Sequence, residues 1–476
     1  MIFAAVTTRP ERGPAPAALP PPRPPSLPSR RPARAPRSAV AAAVVLFAAL
    51  PAVPPATGAI HVERIVSPGG IAAWTVYNPA ASLIALDFSF AGGTAQDPPA
   101  KGGVAAMAMA LLGEGAGDVD SREFHERIAA KAIRLSFAAA SDYVTGSLRT
   151  LTGNRDEAAR LLKLALTAPR FDPDDVERIR GQVLTALRRA ATTPDDVAGE
   201  RWSATAFPSH PYGRPERGTL TTVPAITADD LRAYTGNVLA RDNLHVAVVG
   251  NIDTVAAGRL IDEVFGGLPA TAALTPVPDV VAQGMGRQIM VDLDVPQSLI
   301  VVGGRGLVRT DPDFMAASVL NHILGDDPVA SRLARQVREA RGLAYTSSSS
   351  LVLMQHTGVL ITETGTRSER AAEAVAVIKG EIRKLAETGP TEDELARAKS
   401  YMTGSYALAF DTSAKLSGAL VEIQDLGLGI DYIDRRNSLV NAVTMADVKR
   451  VARRLFGAGM LVTIVGRLQP APAGGE

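Results

Sequence analysis

The amino-acid sequence predicts an α+β protein made of two homologous α/β-sandwich domains, each a mixed sheet covered by helices and joined to the other by a linker. Three observations support this prediction. Each half of the chain opens with alternating apolar strands, continues with a helical segment, and ends with a capped helix and an apolar strand that finishes in Val-Gly. A strand–helix order that repeats after about 200 residues is too long for a solenoid and indicates a duplicated domain.

The corresponding segments of the two halves can be placed in order along the chain. In the first half we expect strands at 71–77 and 83–90, a helix at 103–112, a helix that begins at Thr227 and a strand at 244–250. In the second half we expect strands at 288–293 and 298–303, a helix at 314–324, a helix that begins at Thr444 and a strand at 461–466. The repeated order predicts the same topology in both halves.

A further helix in each half starts with an acidic first turn. In the first half, Asp172 is the expected N-cap and Pro173 the first helical residue. In the second half, Thr391 and Glu394 are spaced as a capping box. Both arrangements satisfy free amides at the helix start and suit the helix dipole, so they predict where these helices begin.

The domain organisation follows from composition. Residues 268–285 are rich in proline and small residues and lack a clear period, which is typical of a linker. The predicted organisation is a leader at 1–59, an N-terminal domain at 60–267, the linker at 268–285, a C-terminal domain at 286–468 and a disordered tail at 469–476.

The first 59 residues read as a secretory signal. Seven arginines and one acid precede an apolar run at 39–50, and small residues end the segment at Ala59. The apolar run is short for a bilayer, so an uncleaved anchor is the weaker alternative. We therefore expect a secreted, periplasmic protein without a membrane span after cleavage.

Charge and cysteine content exclude several functions. The chain has 50 basic and 49 acidic residues, and the leader contains a disproportionate share of the basic ones. Without the leader the net charge is about −5, and no basic block remains, so nucleic acid is not an expected partner. The absence of cysteine excludes both disulfides and thiolate metal sites.

The sequence contains no local catalytic motif. Its six histidines are each more than thirty residues apart, whereas a helical zinc motif needs two imidazoles one turn apart. Ligands that converge from distant segments remain an alternative. There is no Gly-x-Ser-x-Gly elbow and no phosphate-binding loop, and the serines at 347–350 are most simply the polar face of a strand.

Several segments in order resemble a known family. They are Phe90-Ala-Gly-Gly-Thr, Pro98-Pro-Ala-Lys-Gly-Gly-Val, Phe207-Pro-Ser-His-Pro-Tyr-Gly-Arg-Pro and the motif from Ser331 to Tyr345. Together they resemble the pitrilysin/insulinase-type (inverzincin) zinc metallopeptidases over about residues 60–468. The resemblance implies the two-domain fold and a peptide substrate.

The catalytic motif of that family is missing. The helix that should read His-x-x-Glu-His has Ala106 and Ala110 at the ligand positions and Met109 at the general-base position. Methyl and thioether groups can neither bind zinc nor take a proton from water. Glu177 matches the third-ligand position, but a solvated acid near a helix start is the simpler interpretation. No metal is expected in this chain.

The resemblance also implies roles for Arg338 and Tyr345. In the family, an arginine and a tyrosine from a C-terminal domain face the zinc, bind the substrate backbone and stabilise charge on the scissile carbonyl. Arg338 and Tyr345 match these positions, seven residues apart. The alternative is that Arg332, Arg335 and Arg338 form an exposed basic helix face and that Tyr345 merely opens a strand.

These features predict the non-catalytic subunit of a heteromeric zinc metallopeptidase. The expected partner is a related subunit with an intact His-x-x-Glu-His helix and its zinc, and this chain would contribute Arg338 and Tyr345 to the partner's site. One alternative is a stand-alone peptide-binding or scaffold protein of the same fold. Another is a true peptidase with a relocated metal site.

Overall fold

The computed structural model of the chain describes residues 60–467. The predicted leader at 1–59 and the predicted tail at 469–476 lie outside the described residues. Within 60–467, none of the helices combines the length and the apolar character that crossing a bilayer requires.

Eleven strands in the described residues form two sheets. The strands of sheet 1 are β1 (Glu63–Val66), β2 (Ala72–Tyr77), β3 (Leu83–Ala91), β4 (Arg134–Ala139), β5 (Tyr143–Leu151) and β6 (Leu244–Gly250). The strands of sheet 2 are β7 (Gln288–Asp292), β8 (Gln297–Arg305), β9 (Ala344–Met354), β10 (Thr357–Arg367) and β11 (Leu461–Gly466). The strand orders are β1-β2-β6-β3-β5-β4 and β7-β11-β8-β10-β9.

Helices cover the sheets. In chain order they are α1 (Val104–Leu111), α2 (Ser121–Ala130), α3 (Arg155–Thr167), α4 (Pro173–Ala190), α5 (Pro194–Ala206), α6 (Ala228–Val238), α7 (Thr254–Phe265), α8 (Phe314–Asn321), α9 (Ala371–Glu387), α10 (Glu392–Gly404), α11 (Ser413–Asp425), α12 (Tyr432–Ala442) and α13 (Met445–Phe456). Two π-helical stretches, His322–Asp326 and Ala334–Glu339, interrupt the second half.

The two sheets have the same topology. β2, β6, β3, β5 and β4 correspond in order to β7, β11, β8, β10 and β9. One pair in each sheet is parallel, β2 with β6 and β7 with β11, and the remaining pairs are antiparallel. The predicted fold class, two homologous α/β sandwiches with mixed sheets, is confirmed. β1 is an additional strand that the sequence did not indicate.

The main core of each half lies on one face of its sheet. Alternate residues of β3, from Ile84 to Phe90, point into a cluster with α1, α3, α6 and α7. Ile300 and Val302 of β8 point into a second cluster with α8, α9 and α13. Burial of these apolar faces is the main contribution that holds each half together.

The opposite faces are covered by an exchange of helices between the halves. α5 belongs to the first half but lies on sheet 2, where Trp202 and Phe207 are buried against β8, β10 and β11. α11 belongs to the second half but lies on β3 and β6 of sheet 1. Each half therefore completes the sandwich of the other, which the division of the sequence into halves did not predict.

The two exchanged helices are held by different forces. The α5 contact is apolar, with one hydrogen bond from the Trp202 indole Nε1 to the Leu461 carbonyl at 3.3 Å. The α11 contact is polar: Asp425 Oδ1 lies 2.7 Å from His245 Nδ1 and accepts a hydrogen bond from Ser89 Oγ. Ser417 Oγ also donates to Asp87. The second contact therefore depends on charge and hydrogen bonding more than the first.

The predicted helix starts are mostly confirmed. Thr391 and Glu394 form the expected capping box, and Thr227 and Thr444 form further ones. Asp172 is the N-cap of α4, but its side chain binds Arg170 at 2.6 Å instead of a helix amide. The helix expected at 314–324 is α-helical only to Asn321, after which it widens to the π form.

Candidate functional site

The positions of the zinc motif form the accessible stripe of α1. Ala106 is partly exposed and Ala110 is exposed, one turn apart, while the other residues of the helix are buried. Met109, at the general-base position, is 4% exposed and belongs to the core. The geometry of a ligand-bearing helix is therefore retained, but its open face presents methyl groups.

Asp97 fixes the start of α1. Its carboxylate accepts hydrogen bonds from the Gly103 N–H at 2.6 Å and the Ala105 N–H at 3.1 Å. Gly103 has a φ of 98°, and a Cβ there would lie 2.7 Å from the Arg217 carbonyl, so the position requires glycine. Burial raises the pKa of Asp97 to about 7, although these N–H groups and the Arg214 guanidinium lower it. The sequence interpretation did not single out Asp97.

Glu177 lies on α4, which packs against α1. Its side chain is 68% exposed, and its carboxylate accepts from Arg180 Nε at 3.1 Å. Arg180 is itself held by the carbonyls of Val223 and Ile226. The structure therefore places Ala106, Met109 and Ala110 on α1 and Glu177 on the adjacent α4. Glu177 forms part of a surface ion pair.

These residues do not fit a zinc ion. Zinc in catalytic sites takes three protein ligands from His, Asp, Glu or Cys, and Ala106 and Ala110 offer no donor atoms. Across residues 60–467, no group of three or more such side chains is placed to hold a metal. Neither the motif position nor a relocated site in the described residues supplies a donor set for zinc.

The Ser331–Tyr345 motif is anchored by a largely buried ion pair. Arg332 donates from Nε and Nη2 to the two oxygens of Glu394 at 2.9 and 2.8 Å. Burial opposes ionisation of Glu394, but Arg332, the Thr391 N–H and Arg335 together outweigh it and lower the pKa of this carboxyl. The interpretation of Arg332, Arg335 and Arg338 as one exposed basic face is therefore wrong for Arg332, which fixes the motif to α10.

Arg338 and Tyr345 occupy opposite sides of a short turn. Arg338 lies at the end of the second π-helical stretch and donates to the Pro328 carbonyl at 2.9 Å and to Glu339 at 3.0 Å. Tyr345 is the second residue of β9, is 90% exposed, and its hydroxyl has no hydrogen-bond partner among residues 60–467. β9 is an edge strand of sheet 2: one side pairs with β10, and the other side pairs with no described strand.

The Phe207–Pro215 segment joins the two halves. The hydroxyl of Tyr212 donates to Asp142 of the first half and accepts from the His356 N–H of the β9–β10 turn at 3.2 Å. Burial, with the Asp142 carboxylate beside it, raises the pKa of Tyr212, so the phenol remains a donor. His210 binds the Pro278 carbonyl at 3.0 Å. This segment therefore has a structural role in the chain.

Comparison with known proteins gives consistent results. Residues 225–402 match the peptidase M16 inactive domain. An uncharacterized zinc protease of Streptomyces coelicolor is 27% identical over 87% of this chain and 91% of that protein. The non-peptidase homolog YmxG of Helicobacter pylori is 24% identical over 77% of this chain and 84% of that protein. A crystal structure of a peptidase M16 inactive domain from Pseudomonas fluorescens has a TM-score of 0.81 at 25% identity, covering 86% of this chain and 99% of that one.

The fold and these similarities indicate an M16 domain of the inactive type, and the alanines at the ligand positions are consistent with a non-catalytic peptidase homologue. Residues 225–402 match a domain of the peptidase M16 family, and most of the chain is similar to proteins named as zinc proteases or non-peptidase homologues, in agreement with the pitrilysin/insulinase-type motifs that its sequence resembles. The resemblance predicted from the motifs is thereby confirmed.

Proposed function

We propose that this chain is the non-catalytic subunit of a two-chain zinc peptidase, whose partner is a related subunit with an intact His-x-x-Glu-His helix. In this assembly the partner's helix would hold a zinc ion able to supply activated water, and this chain would provide binding groups for the substrate. Hydrolysis then belongs to the pair. The absence of ligand atoms at Ala106 and Ala110 supports the assignment of the metal to the partner.

The observation that carries the proposal is the exposure of Tyr345. A phenol that is 90% exposed and without a hydrogen-bond partner in the described residues contributes little to folding, and its hydroxyl is accessible to a ligand. A phenol hydroxyl can donate one hydrogen bond to an oxyanion that develops on a scissile carbonyl. Arg338, at the other side of the turn, is suited to bind the peptide backbone of the same substrate.

The position of Tyr345 on an edge strand supports a peptide as the ligand. The outer N–H and C=O groups of β9 can pair with an extended peptide, which would add a strand to sheet 2. Exposed Ser348 and partly exposed Ser350 make this edge polar, which suits a strand that must remain soluble without its ligand. The expected location of the pair is the periplasm, because the leader reads as a secretory signal.

The test begins with the partner. The tagged chain is purified from its host under mild conditions, and co-purifying chains are identified by mass spectrometry. A stoichiometric partner with the His-x-x-Glu-His motif is the expected result. Recovery of this chain alone would contradict the pair and favour a stand-alone peptide-binding or scaffold protein.

The role of Tyr345 is then tested in the reconstituted pair. Loss of one oxyanion donor costs about 10²- to 10³-fold in kcat, so Tyr345→Phe is expected to lose activity by that order while the pair still assembles. Tyr77→Phe, at another exposed tyrosine on a strand, is the matched control and should leave kcat unchanged. Full activity of Tyr345→Phe would refute the proposed role.

A further inference from the structure

β7, the first strand of sheet 2, has an open outer side. The strand order places β11 on one side of β7 and no described strand on the other. In sheet 1 the equivalent strand, β2, is covered there by β1, and α7 packs against both strands. The Gly69 N–H of the β1–β2 turn donates to Asp262 of α7 at 2.8 Å, which fixes this cover. Within residues 60–467, sheet 2 has no counterpart of either β1 or α7.

The backbone hydrogen bonds of β7 show which of its groups point outward. The Arg287 carbonyl accepts from β11 at 3.0 Å, and the Leu293 N–H donates to β11 at 3.2 Å. Backbone groups alternate in direction along a strand, so the odd-numbered residues between these two also face β11. The N–H and C=O groups of Gln288, Met290 and Asp292 therefore point away from the sheet.

β7 has few of the features that protect an exposed edge. Such strands are commonly protected by proline, lysine, a bulge or a covering element. β7 reads Gln-Ile-Met-Val-Asp, pairs with β11 without a register shift, and has one charged residue, Asp292. Met290, at its centre, is 54% exposed. By contrast β1, the edge strand of sheet 1, starts with Glu63 and Arg64. The edge of β7 therefore favours pairing with another strand.

The sequence of β7 is complementary to itself in antiparallel register. The register that pairs all five residues is centred on Met290, which lies opposite the same residue of the second strand. Gln288 then lies opposite Asp292, so no like charges face each other. Ile289 lies opposite Val291, so apolar side chains meet apolar ones. The three residues with outward backbone groups form the hydrogen-bonded pairs of this ladder.

The two faces of β7 have different neighbours in the chain. Ile289 and Val291 pack against the cluster that contains Trp202. Met290 points to the opposite face and belongs to none of the core clusters of the described residues. A second β7 strand would cover Met290 with a second methionine, whose thioether adapts to irregular contacts. It would also extend the apolar contacts of Ile289 and Val291 across the joint.

We propose that β7 pairs with the β7 strand of a second copy of this chain, about a two-fold axis at Met290. The two five-stranded sheets then form one continuous sheet of ten strands. A two-fold contact of this kind closes after two copies and does not propagate into a fibre. The β9 edges with Tyr345 lie at the far ends of the joined sheet, so they stay open to peptide. This proposal does not depend on a zinc-bearing partner.

The absence of cysteine from the chain allows a direct test of the register. Met290→Cys introduces one thiol, which the two-fold axis places opposite its symmetry mate. The Cα atoms of a hydrogen-bonded antiparallel pair lie about 5.5 Å apart, a distance that a disulfide spans. We expect mild oxidation of the purified variant to give a covalent dimer on electrophoresis without reductant. Val66→Cys, at an exposed residue of the edge strand β1, is the matched control and should stay monomeric.

Sedimentation velocity of the unsubstituted chain measures the association itself. We expect the mean mass to rise with protein concentration from that of one chain towards that of two. Met290→Lys places like charges at the two-fold axis and should keep the chain monomeric, whereas Val66→Lys should leave the association unchanged. Met290→Pro removes the outward N–H but no bond to β11, so it should also give a monomer. Circular dichroism checks that the variants are folded.

The proposal is overturned by a chain that stays monomeric at every concentration, by a dimer that survives Met290→Lys, or by equal cross-linking of Met290→Cys and Val66→Cys. A co-purified subunit with the zinc motif is a different occupant of the same edge. If it protects the thiol at position 290 from alkylation while no cross-linked dimer forms, the edge binds that subunit and the pairing of two copies is refuted.

Discussion

Trp202 and Gly303 allow a quantitative test of the contact between α5 and sheet 2. Trp202 is 0% exposed, and a Cβ at Gly303 of β8 would lie 2.4 Å from its indole ring. Truncation of a buried tryptophan to alanine costs about 3–5 kcal/mol, so Trp202→Ala should lower the free energy of unfolding by that amount. Gly303→Ala forces the added methyl into the ring and should cost about 1–3 kcal/mol.

The two substitutions together should cost less than their sum. When the indole is absent, the methyl of alanine at position 303 fits the space that the ring left, so Gly303→Ala should cost about 0 kcal/mol in the Trp202→Ala background. The assay is urea unfolding followed by circular dichroism, with calorimetry to check that one transition is seen. Costs that add within about 0.5 kcal/mol would refute the contact.

Gly181→Ala is the control for this cycle. Gly181 lies within α4, and a Cβ there meets no atom within 4 Å. Alanine is the better helix former by about 1 kcal/mol, so this substitution should stabilise the protein equally with and without Trp202. A different effect in the two backgrounds would show that the measured coupling is not specific to Gly303.

Three further outcomes are expected. The pKa of Asp97, about 7 in the folded chain, exceeds its ordinary value of 3.8, so the unfolded chain releases this proton first and the free energy of unfolding falls as pH rises from about 4 to 7. Asp97→Asn should remove that slope from a plot of Tm against pH, and an unchanged slope would contradict the assignment. Glu394→Ala removes the two-pronged partner of the buried Arg332, which keeps only Glu381 at 3.9 Å as a counter-charge among residues 60–467, and should cost about 3 kcal/mol in urea unfolding; a cost below about 1 kcal/mol would show the pair to be solvated. Ala106→His combined with Ala110→His should give the isolated chain stoichiometric zinc by elemental analysis, whereas Ala106→His alone should not; no zinc in the double variant would mean that α1 has lost the geometry of the site.

The repeated architecture could be predicted because its signals are local. Strand periodicity and the capping residues Thr391 and Glu394 depend on neighbours in the sequence, and the structure places these elements where the pattern predicts them. The apolar stripe of α5 is also visible in the sequence, but periodicity does not tell which sheet a stripe will cover. The exchange of α5 and α11 between the two sheets therefore could not be predicted from the sequence.

In the candidate site, too, the local motifs could be predicted from the sequence and the long-range contacts could not. The positions of Ala106, Ala110, Arg338 and Tyr345 follow from motifs of contiguous residues. The environment of these residues depends on contacts over long sequence distances, such as that of Arg332 with Glu394, 62 residues away. An acid before a Gly-Gly helix start is the one sequence signal that could have identified Asp97.

The exchange of helices also sets the order in which the molecule can be completed during synthesis. The carbonyl that Trp202 binds belongs to Leu461, 259 residues later and in the last described strand. Until that strand is made, the apolar face of α5 has no complete sheet to cover it and can associate with other chains or with a chaperone. The N-terminal half is therefore synthesised with the apolar face of α5 still uncovered. Its protection from aggregation depends on how quickly the C-terminal half follows.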